Sequence, residues 1–279
     1  MRKIEEHIFK VLMISATLLI VGSFFLIMFT LLKKGLPAMS FDMISKTPEG
    51  GFYIGKEGGV LNAIIGSLYL ALSSSVLALI ISLPIVVYIN IYLKKRSGLG
   101  SVTRLSYDVL FGIPSIVYGA FGFTIMMYFG LKASLLGGII AVTLLVIPIM
   151  IRTMDEVMRT VPKELLDASY SLGATRLETV KILIRQSAPG IFTAILLSFG
   201  RAIGDAASVM FTAGFSDNIP TSLTDPAPTL PLAIFFQLSS PIEEVQARAY
   251  ASTLILTALV LIISISARIL TKRFSKNKI

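Results

Sequence analysis

The sequence predicts an all-α polytopic membrane protein with six transmembrane helices. Of its 279 residues, 54% are hydrophobic and only 15% are charged, against roughly 25% charged in an ordinary soluble domain. The charges also avoid long tracts, each long enough to cross hydrocarbon about 30 Å thick, which takes ~20 helical residues. Because lipid offers no partner to a bare peptide group, these tracts are expected to be helices surrounded by membrane lipid.

The predicted spans follow one another along a single transmembrane domain, 1–279. Five contain no charged residue, and they cover 11–32, 61–93, 109–131, 133–151 and 249–267. The remaining span, 186–215, is interrupted only by Arg201 and Asp205. Prolines and glycines within the spans predict bends and close helix contacts; they are Pro84, Pro114, Pro148, Gly119, Gly122, Gly137 and Gly138.

The basic residues predict the orientation of these spans. With the N-terminus inside, the inner side holds 18 of the 25 Lys and Arg residues and the outer side holds 6. The positive-inside rule thus explains the net charge of +9 without any nucleic acid. Both termini are expected in the cytoplasm, with external loops at 33–59 and 216–247. The first loop is expected to be irregular, and Leu230–Leu238 is predicted as a short helix in the second.

Several kinds of chemistry are excluded by residue type. The chain has no cysteine and one histidine, His7, which excludes cysteine-ligated zinc, thiol chemistry and a multi-histidine metal site. The segment from Gly50 to Lys56 satisfies the first seven positions of a phosphate-binding loop, but Glu57 stands where a Ser or Thr should reach magnesium. The chain is therefore not expected to hydrolyse ATP, to be an enzyme or to hold a cofactor.

The internal stretch 152–185 predicts a compact helix-turn-helix. Pro162 suits the first position of a helix, and Gly173 suits its C-terminal cap. The sequence from Thr175 to Glu178 is typical of a capping box that opens a second helix. The expected apolar faces are Leu165, Leu166, Ser169 and Leu172 on the first helix, and Leu177, Val180 and Ile184 on the second. A loop without a partner is the alternative interpretation.

Polar residues recur along the span 186–215. Ser198, Arg201, Asp205, Ser208 and Thr212 follow at spacings of 3, 4, 3 and 4, which predicts a polar stripe on one helical face. Such a stripe favours a translocation path, while a structural Arg201–Asp205 ion pair is the alternative. A guanidinium suits phosphate or carboxylate oxygens, and Asp205 could accept a hydrogen bond from a protonated oxyanion.

The helix-turn-helix resembles the EAA loop of permeases in ATP-binding-cassette (ABC) importers. Asp167-Ala168-Ser169 is followed after three residues by Gly173-Ala174, with Asp167 where Glu is usual. The resemblance implies the fold of a type I ABC importer permease, with a coupling helix that docks on a separate ATPase. By this resemblance the coupling residues are Glu164, Asp167, Ala168, Ser169, Gly173 and Ala174.

Further motifs are similar to the PstA-type permeases of phosphate uptake systems. They are Gly112-Ile113-Pro114-Ser115-Ile116-Val117-Tyr118-Gly119, Pro148-Ile149-Met150-Ile151-Arg152-Thr153, Arg201-Ala202-Ile203-Gly204-Asp205-Ala206-Ala207, Phe211-Thr212-Ala213-Gly214 and the run from Ser240 to Tyr250. Asp205 stands where that family has Glu. The resemblance covers nearly the whole chain and implies import of inorganic phosphate, with Arg201, Asp205 and Arg152 on the path.

The same resemblance implies a set of partners. They are a PstC-type sister permease in a heterodimer, two copies of a cytoplasmic PstB-type ATPase, and an extracytoplasmic PstS-type phosphate-binding protein. Three alternatives stay open: a permease for sulfate, molybdate or phosphonate, an ATP-independent channel or carrier gated by Arg201 and Asp205, and a membrane-embedded enzyme.

Overall fold

The computed structural model describes residues 2–49, 57–93 and 97–275. Its helices are α1 (Arg2–Gly35), α2 (Phe41–Ser45), α3 (Leu61–Val87), α4 (Gly98–Phe111), α5 (Ser115–Tyr128), α6 (Leu135–Arg159), α7 (Lys163–Ser171), α8 (Arg176–Ile203), α9 (Leu230–Leu238) and α10 (Glu243–Ser275). A π-helical turn, Tyr88–Tyr92, continues α3. The segment that resembles a phosphate-binding loop, 50–56, lies outside the described residues.

The helices confirm the predicted all-α membrane class. By length and composition, α1, α3, α6, α8 and α10 can each cross a membrane, and α4 with α5 is a sixth candidate. The span expected at 109–131 is not one straight helix, because α4 and α5 meet at 100°. Pro114, which lacks an amide hydrogen, is the N-cap of α5, and Gly112 is the C-cap of α4. The predicted bend is therefore a break between two separate helices.

The span expected at 186–215 also differs from the structure. Its helix, α8, ends at Ile203 and is capped by Gly204. A chain of turns covers the next ten residues, and Gly214 closes it with a φ of 75°. The polar residues beyond Ile203 therefore do not lie on one continuous helix.

The centre of the bundle is α6, packed between α3, α5 and α8. Two thirds of its membrane-length window (67%) is buried, against none (0%) of α1. Glycines allow the close approach that the sequence predicts. A Cβ built on Gly138 would lie 2.8 Å from Leu70 of α3, and one on Gly190 of α8 would lie 2.2 Å from Val157.

The segments at the α9 end of the bundle contain regular secondary structure. The described part of residues 33–59, which were expected to be irregular, contains the end of α1, a 3-10 turn, α2 and two-residue strands, β1 (Pro48–Glu49) and β2 (Glu57–Gly58), which pair antiparallel. Helix α9 has the predicted bounds, and Thr229 caps its N-terminus. The hydroxyl of Ser67 on α3 accepts the amide of Leu230 at 2.8 Å, which joins α9 to the core.

Candidate functional site

Arg201 and Asp205 form an ion pair at the end of α8. Arg201 Nη2 lies 3.0 Å from Asp205 Oδ1. The two side chains differ sharply in exposure, since 44% of the Arg201 side chain is accessible and only 2% of the Asp205 side chain is. Asp205 Oδ2 accepts the Ser208 amide at 2.8 Å and also the Ser208 hydroxyl. The buried Asp205 carboxylate, with both oxygens engaged, thus pairs with the partly exposed guanidinium of Arg201.

The turn that carries Asp205 is fixed against α5 and α6. The Thr212 hydroxyl donates to the Ser208 carbonyl at 2.8 Å, and the Thr212 carbonyl accepts the Ser134 amide at 2.9 Å. On α5, a Cβ at Gly119 would lie 2.8 Å from the Ser208 carbonyl oxygen. On α6, a Cβ at Gly137 would lie 2.8 Å from the Thr212 carbonyl oxygen. Only glycine leaves room for this backbone.

The predicted polar residues are therefore divided between the end of α8 and the turn that follows it. Ser198, Asp205, Ser208 and Thr212 are all buried, and Arg201 alone of the five is exposed. Ser198 lies on the buried face of α8, and its hydroxyl has no hydrogen-bond partner among the described residues. The prediction of a single helical stripe is wrong because α8 ends before Asp205. The residues stay together because the turn folds back on itself.

Arg152 does not join this group. Its Nε lies 3.3 Å from Glu156 Oε1 and 3.6 Å from Asp108 Oδ1, and its guanidinium lies over the Phe111 ring. Gly190 of α8 packs against Val157 of α6, which gives a common reference point along the two helices. Counted from this point at 1.5 Å per residue, Arg201 lies roughly 9 Å closer to the α9 end than Arg152 does.

The predicted helix-turn-helix is present, and the two helix ends that meet at its turn are both capped; Pro162, predicted at the first helical position, is instead the N-cap residue of α7. Helix α7 begins after Pro162 and ends at a Schellman motif, in which the Ala174 amide donates to the Ser169 carbonyl at 3.0 Å and the Gly173 amide to that of Tyr170 at 2.9 Å. Gly173 has a φ of 81°. The predicted capping box of α8 is confirmed, with Thr175 N to Glu178 Oε2 at 2.8 Å and Glu178 N to Thr175 Oγ1 at 3.4 Å.

The two helices are joined through buried hydroxyls. Ser169 Oγ and Thr179 Oγ1 lie 3.0 Å apart, and Ser169 also donates to the Leu166 carbonyl. Glu164, Asp167, Ala168 and Gly173 are exposed, while Ala174 is half-buried.

The predicted apolar faces of this motif were partly wrong. Leu172, placed on the inner face, is 89% exposed because it is the C-cap residue beyond the last helical turn. Leu177 is exposed too, and the buried stripe at the start of α8 is Thr179, Leu183 and Ser187.

A buried carboxylate that the sequence analysis did not single out lies close to α7. Asp155 of α6 is 1% exposed and accepts Asn90 Nδ2 at 2.8 Å, Arg104 Nε at 3.0 Å and Tyr107 Oη at 2.7 Å. Arg159 Nη2 lies 2.9 Å from the same carboxylate. These donors come from the π-helical turn, α4 and α6. In the sequence Asp155 is one of several acidic residues of the stretch 152–185, and its partners lie 48 to 65 residues away or one turn on.

Asp225 organises the turn at residues 221–225, ahead of α9. Its carboxylate accepts the amides of Thr221 and Ser222 and both of their hydroxyls, at 2.9 Å each. These donors lower the pKa of the Asp225 carboxyl to about 2. The Asp225 carbonyl accepts the Leu135 amide at 2.8 Å. Among the described residues, no group of three or more acidic or histidine side chains is arranged to hold a metal ion.

The arrangement of the helices is the fold of a type I ABC importer permease. The chain is similar in fold to a permease in inward-facing structures of the MetNI methionine ABC transporter, with a TM-score of 0.63 and 17% identity. The similarity covers 77% of this chain and 95% of that chain.

The chain belongs to the binding-protein-dependent transport system inner membrane component family, which matches residues 51–276. Among its relatives is the phosphate transport system permease protein PstA of Yersinia pestis, 36% identical over 96% of this chain and 90% of that protein. The PstA of Xylella fastidiosa is 34% identical over 88% and 84%. The probable ABC transporter permease protein YqgI of Bacillus subtilis is 30% identical over 84% of each.

Proposed function

We propose that this chain is the permease subunit of an ATP-driven importer of inorganic phosphate. The observation that carries the proposal is the similarity to the PstA proteins, which extends over nine tenths of the Yersinia pestis chain. The exposed guanidinium at the end of α8 agrees with it, because a planar guanidinium donates paired hydrogen bonds to phosphate oxygens.

In this proposal Arg201 contacts the anion and Asp205 positions Arg201. The Asp205 carboxylate is buried and engaged by Ser208 and Arg201, so the exposed N–H groups of Arg201 are those that meet substrate. The carboxylate also offsets the arginine charge. The site therefore attracts phosphate without the full strength of an isolated cation, which suits a path where substrate must leave as well as enter. Ser208 and Thr212 support the turn through their hydrogen bonds, Ser198 is proposed to belong to the path from its place on α8, and Arg152 is proposed as a second, separate contact on the path.

Coupling to a separate ATPase is proposed at the exposed face of α7. Glu164, Asp167, Ala168 and Leu172 present that face. The Schellman motif and the Ser169–Thr179 contact join α7 firmly to α8. Helix α8 is continuous to Ile203, through Pro189, so Arg201 lies about 38 Å along the same helix. A displacement of α7 would then move the path directly.

The proposed assembly contains a PstC-type sister permease in a heterodimer, two PstB-type ATPase subunits and a PstS-type phosphate-binding protein. Both termini and α7 are placed in the cytoplasm, on the charge distribution of the sequence. A permease for sulfate, molybdate or phosphonate is the runner-up, because one arginine does not distinguish tetrahedral anions. An ATP-independent carrier would need no ATPase on α7.

The test is uptake of radiolabelled phosphate by vesicles that contain the assembled importer. Arg201→Gln is expected to lower uptake about tenfold or more, since it removes charge-assisted hydrogen bonds to the anion. Arg201→Lys keeps the charge but not the fork, and an intermediate rate is expected. Arg268→Gln, the same change at an exposed position of α10, is expected to transport normally.

Two results would contradict the proposal. Normal uptake in Arg201→Gln would remove Arg201 from the path, and uptake that persists without the ATPase would remove the ATP-driven mechanism. Competition by unlabelled sulfate, molybdate and phosphonate separates phosphate from the runner-up, because the preferred anion displaces the label at the lowest concentration.

A further inference from the structure

A cavity of about 510 Å³ lies beside α7, at the opposite end of α8 from Arg201. It is open on one side and is lined by residues of the π-helical turn, α4, α6, α7 and α8. Its walls combine apolar side chains with a group of cations; the apolar ones include Ile89, Leu93, Val161, Leu166 and Leu183, and the cations are Arg104, Arg159 and Lys163. The volume is within the ~300–1,000 Å³ of typical small-ligand sites.

The cations in this cavity outnumber the carboxylates near them. Arg104 and Arg159 both pair with the single carboxylate of Asp155, which is buried and also accepts Asn90 and Tyr107. Lys163 and Asp167 add one charge of each sign to the lining. Among the described residues at the cavity, three cations therefore face two carboxylates, and one positive charge is left over.

The guanidinium groups also have donors to spare. Arg104 donates from Nε and Nη2 to Asp155, and Arg159 Nη2 forms an ion pair with the same carboxylate. Arg104 Nη1, Arg159 Nε and Arg159 Nη1 have no acceptor among the residues that the structure describes. Asp155 is itself fixed by donors from other elements, so it anchors both guanidinium groups beside the cavity, with the Arg104 side chain 28% exposed and that of Arg159 49% exposed.

We propose that this cavity binds a phosphate-bearing anion, whose oxygens accept the spare N–H groups of Arg104 and Arg159 while Lys163 contributes charge. Arginine forks match phosphate oxygens in geometry and charge. The ligand has two possible sources, the headgroup of an anionic phospholipid and free inorganic phosphate. The apolar walls fit the glycerol and first methylenes of a lipid, whereas inorganic phosphate would leave them uncovered.

The test measures binding rather than transport, so it is independent of the proposed function. The full-length chain is placed in phosphatidylcholine nanodiscs and titrated calorimetrically with short-chain phosphatidylglycerol in one arm and with inorganic phosphate in the other. Saturable binding is expected in at least one arm. Arg159→Gln and Lys163→Gln are each expected to weaken it about tenfold, the usual effect of losing one charge-assisted contact. Arg185→Gln, an exposed arginine of α8 outside the lining, is the matched control and is expected to bind as the native chain does.

Each outcome decides the proposal. Binding of phosphatidylglycerol that both cavity variants weaken identifies a lipid headgroup site, and the same pattern with inorganic phosphate identifies a free phosphate site. No saturable binding in either arm overturns the proposal. Binding that Arg159→Gln and Lys163→Gln leave intact overturns it as well. Phosphate binding that is lost in Arg201→Gln but kept in the cavity variants would locate the anion at the end of α8 and equally overturn it.

Discussion

The side chain of Asp205 makes more of the contacts that stabilise the local structure than that of its partner Arg201 does. Its carboxylate is buried and bonded to the Ser208 amide and hydroxyl, which closes the turn directly after α8. Arg201 is held from one side only. The two residues of this pair therefore have different roles, one structural and one open to a ligand.

Removing the Asp205 carboxylate is predicted to destabilise the chain. In Asp205→Ala the buried Ser208 amide loses its acceptor, and unsatisfied buried donors cost about 1–3 kcal/mol each. The half-exposed Arg201 contact adds less than about 1 kcal/mol. We expect a loss of about 3 kcal/mol in the free energy of unfolding, measured by denaturant titration in detergent. Asp42→Ala is the control, because its i,i+4 pair with Lys46 is exposed; an equal loss there would show that burial is not the cause.

The polar residues of this turn could be identified from the sequence, but the conformation of the backbone that carries them could not. Spacings of 3 and 4 describe any helix, and residues 204–215 contain one charged residue, Asp205, so nothing in their composition marks the end of a span. The end of α8 at Ile203 depends on Gly119 and Gly137, which let the turn pack against α5 and α6. This is tertiary information that local spacing does not contain.

Among the elements, the connection between α7 and α8 followed most directly from the sequence. Gly173 and the residues from Thr175 to Glu178 obey local rules, in which a glycine adopts the left-handed region and a threonine hydroxyl caps the next helix. The outward position of Leu172 was missed because periodicity was extended past the last helical residue. The break between α4 and α5 was underestimated for the reverse reason, since Pro114 permits a bend whose angle depends on packing.

At this connection, Gly173→Ala is predicted to loosen α7. A Cβ there meets nothing within 4 Å, so the change acts only through the φ of 81°. A non-glycine residue in this region costs about 1–2 kcal/mol. We expect faster amide hydrogen exchange throughout α7, and a smaller effect in Gly173→Asn, because asparagine tolerates this conformation. Gly98→Ala also enters open space but without a left-handed φ, and faster exchange in α7 of that variant would count against the explanation.

For the whole molecule, hydropathy and charge predicted the class and the number of candidate spans, because lipid imposes helices on long uncharged tracts. They did not reveal the Asp155 cluster, whose donors come from the π-helical turn and α4. A single buried carboxylate has no sequence signature when its partners lie on other elements. The cluster emerges only when the helices are assembled.

The orientation of the whole bundle can be tested directly, because the chain has no cysteine. Thr160 and Asn218 are exposed at opposite ends of α6, whose 25 residues span about 37 Å, more than the ~30 Å of hydrocarbon. With the basic residues inside, Asn218→Cys should react with a membrane-impermeant maleimide in intact cells that lack the ATPase subunit. Thr160→Cys should react only after permeabilisation. The native chain controls for background. Reaction of Thr160→Cys alone in intact cells would reverse the orientation and put α7, with its proposed ATPase contact, on the side where no ATP is supplied.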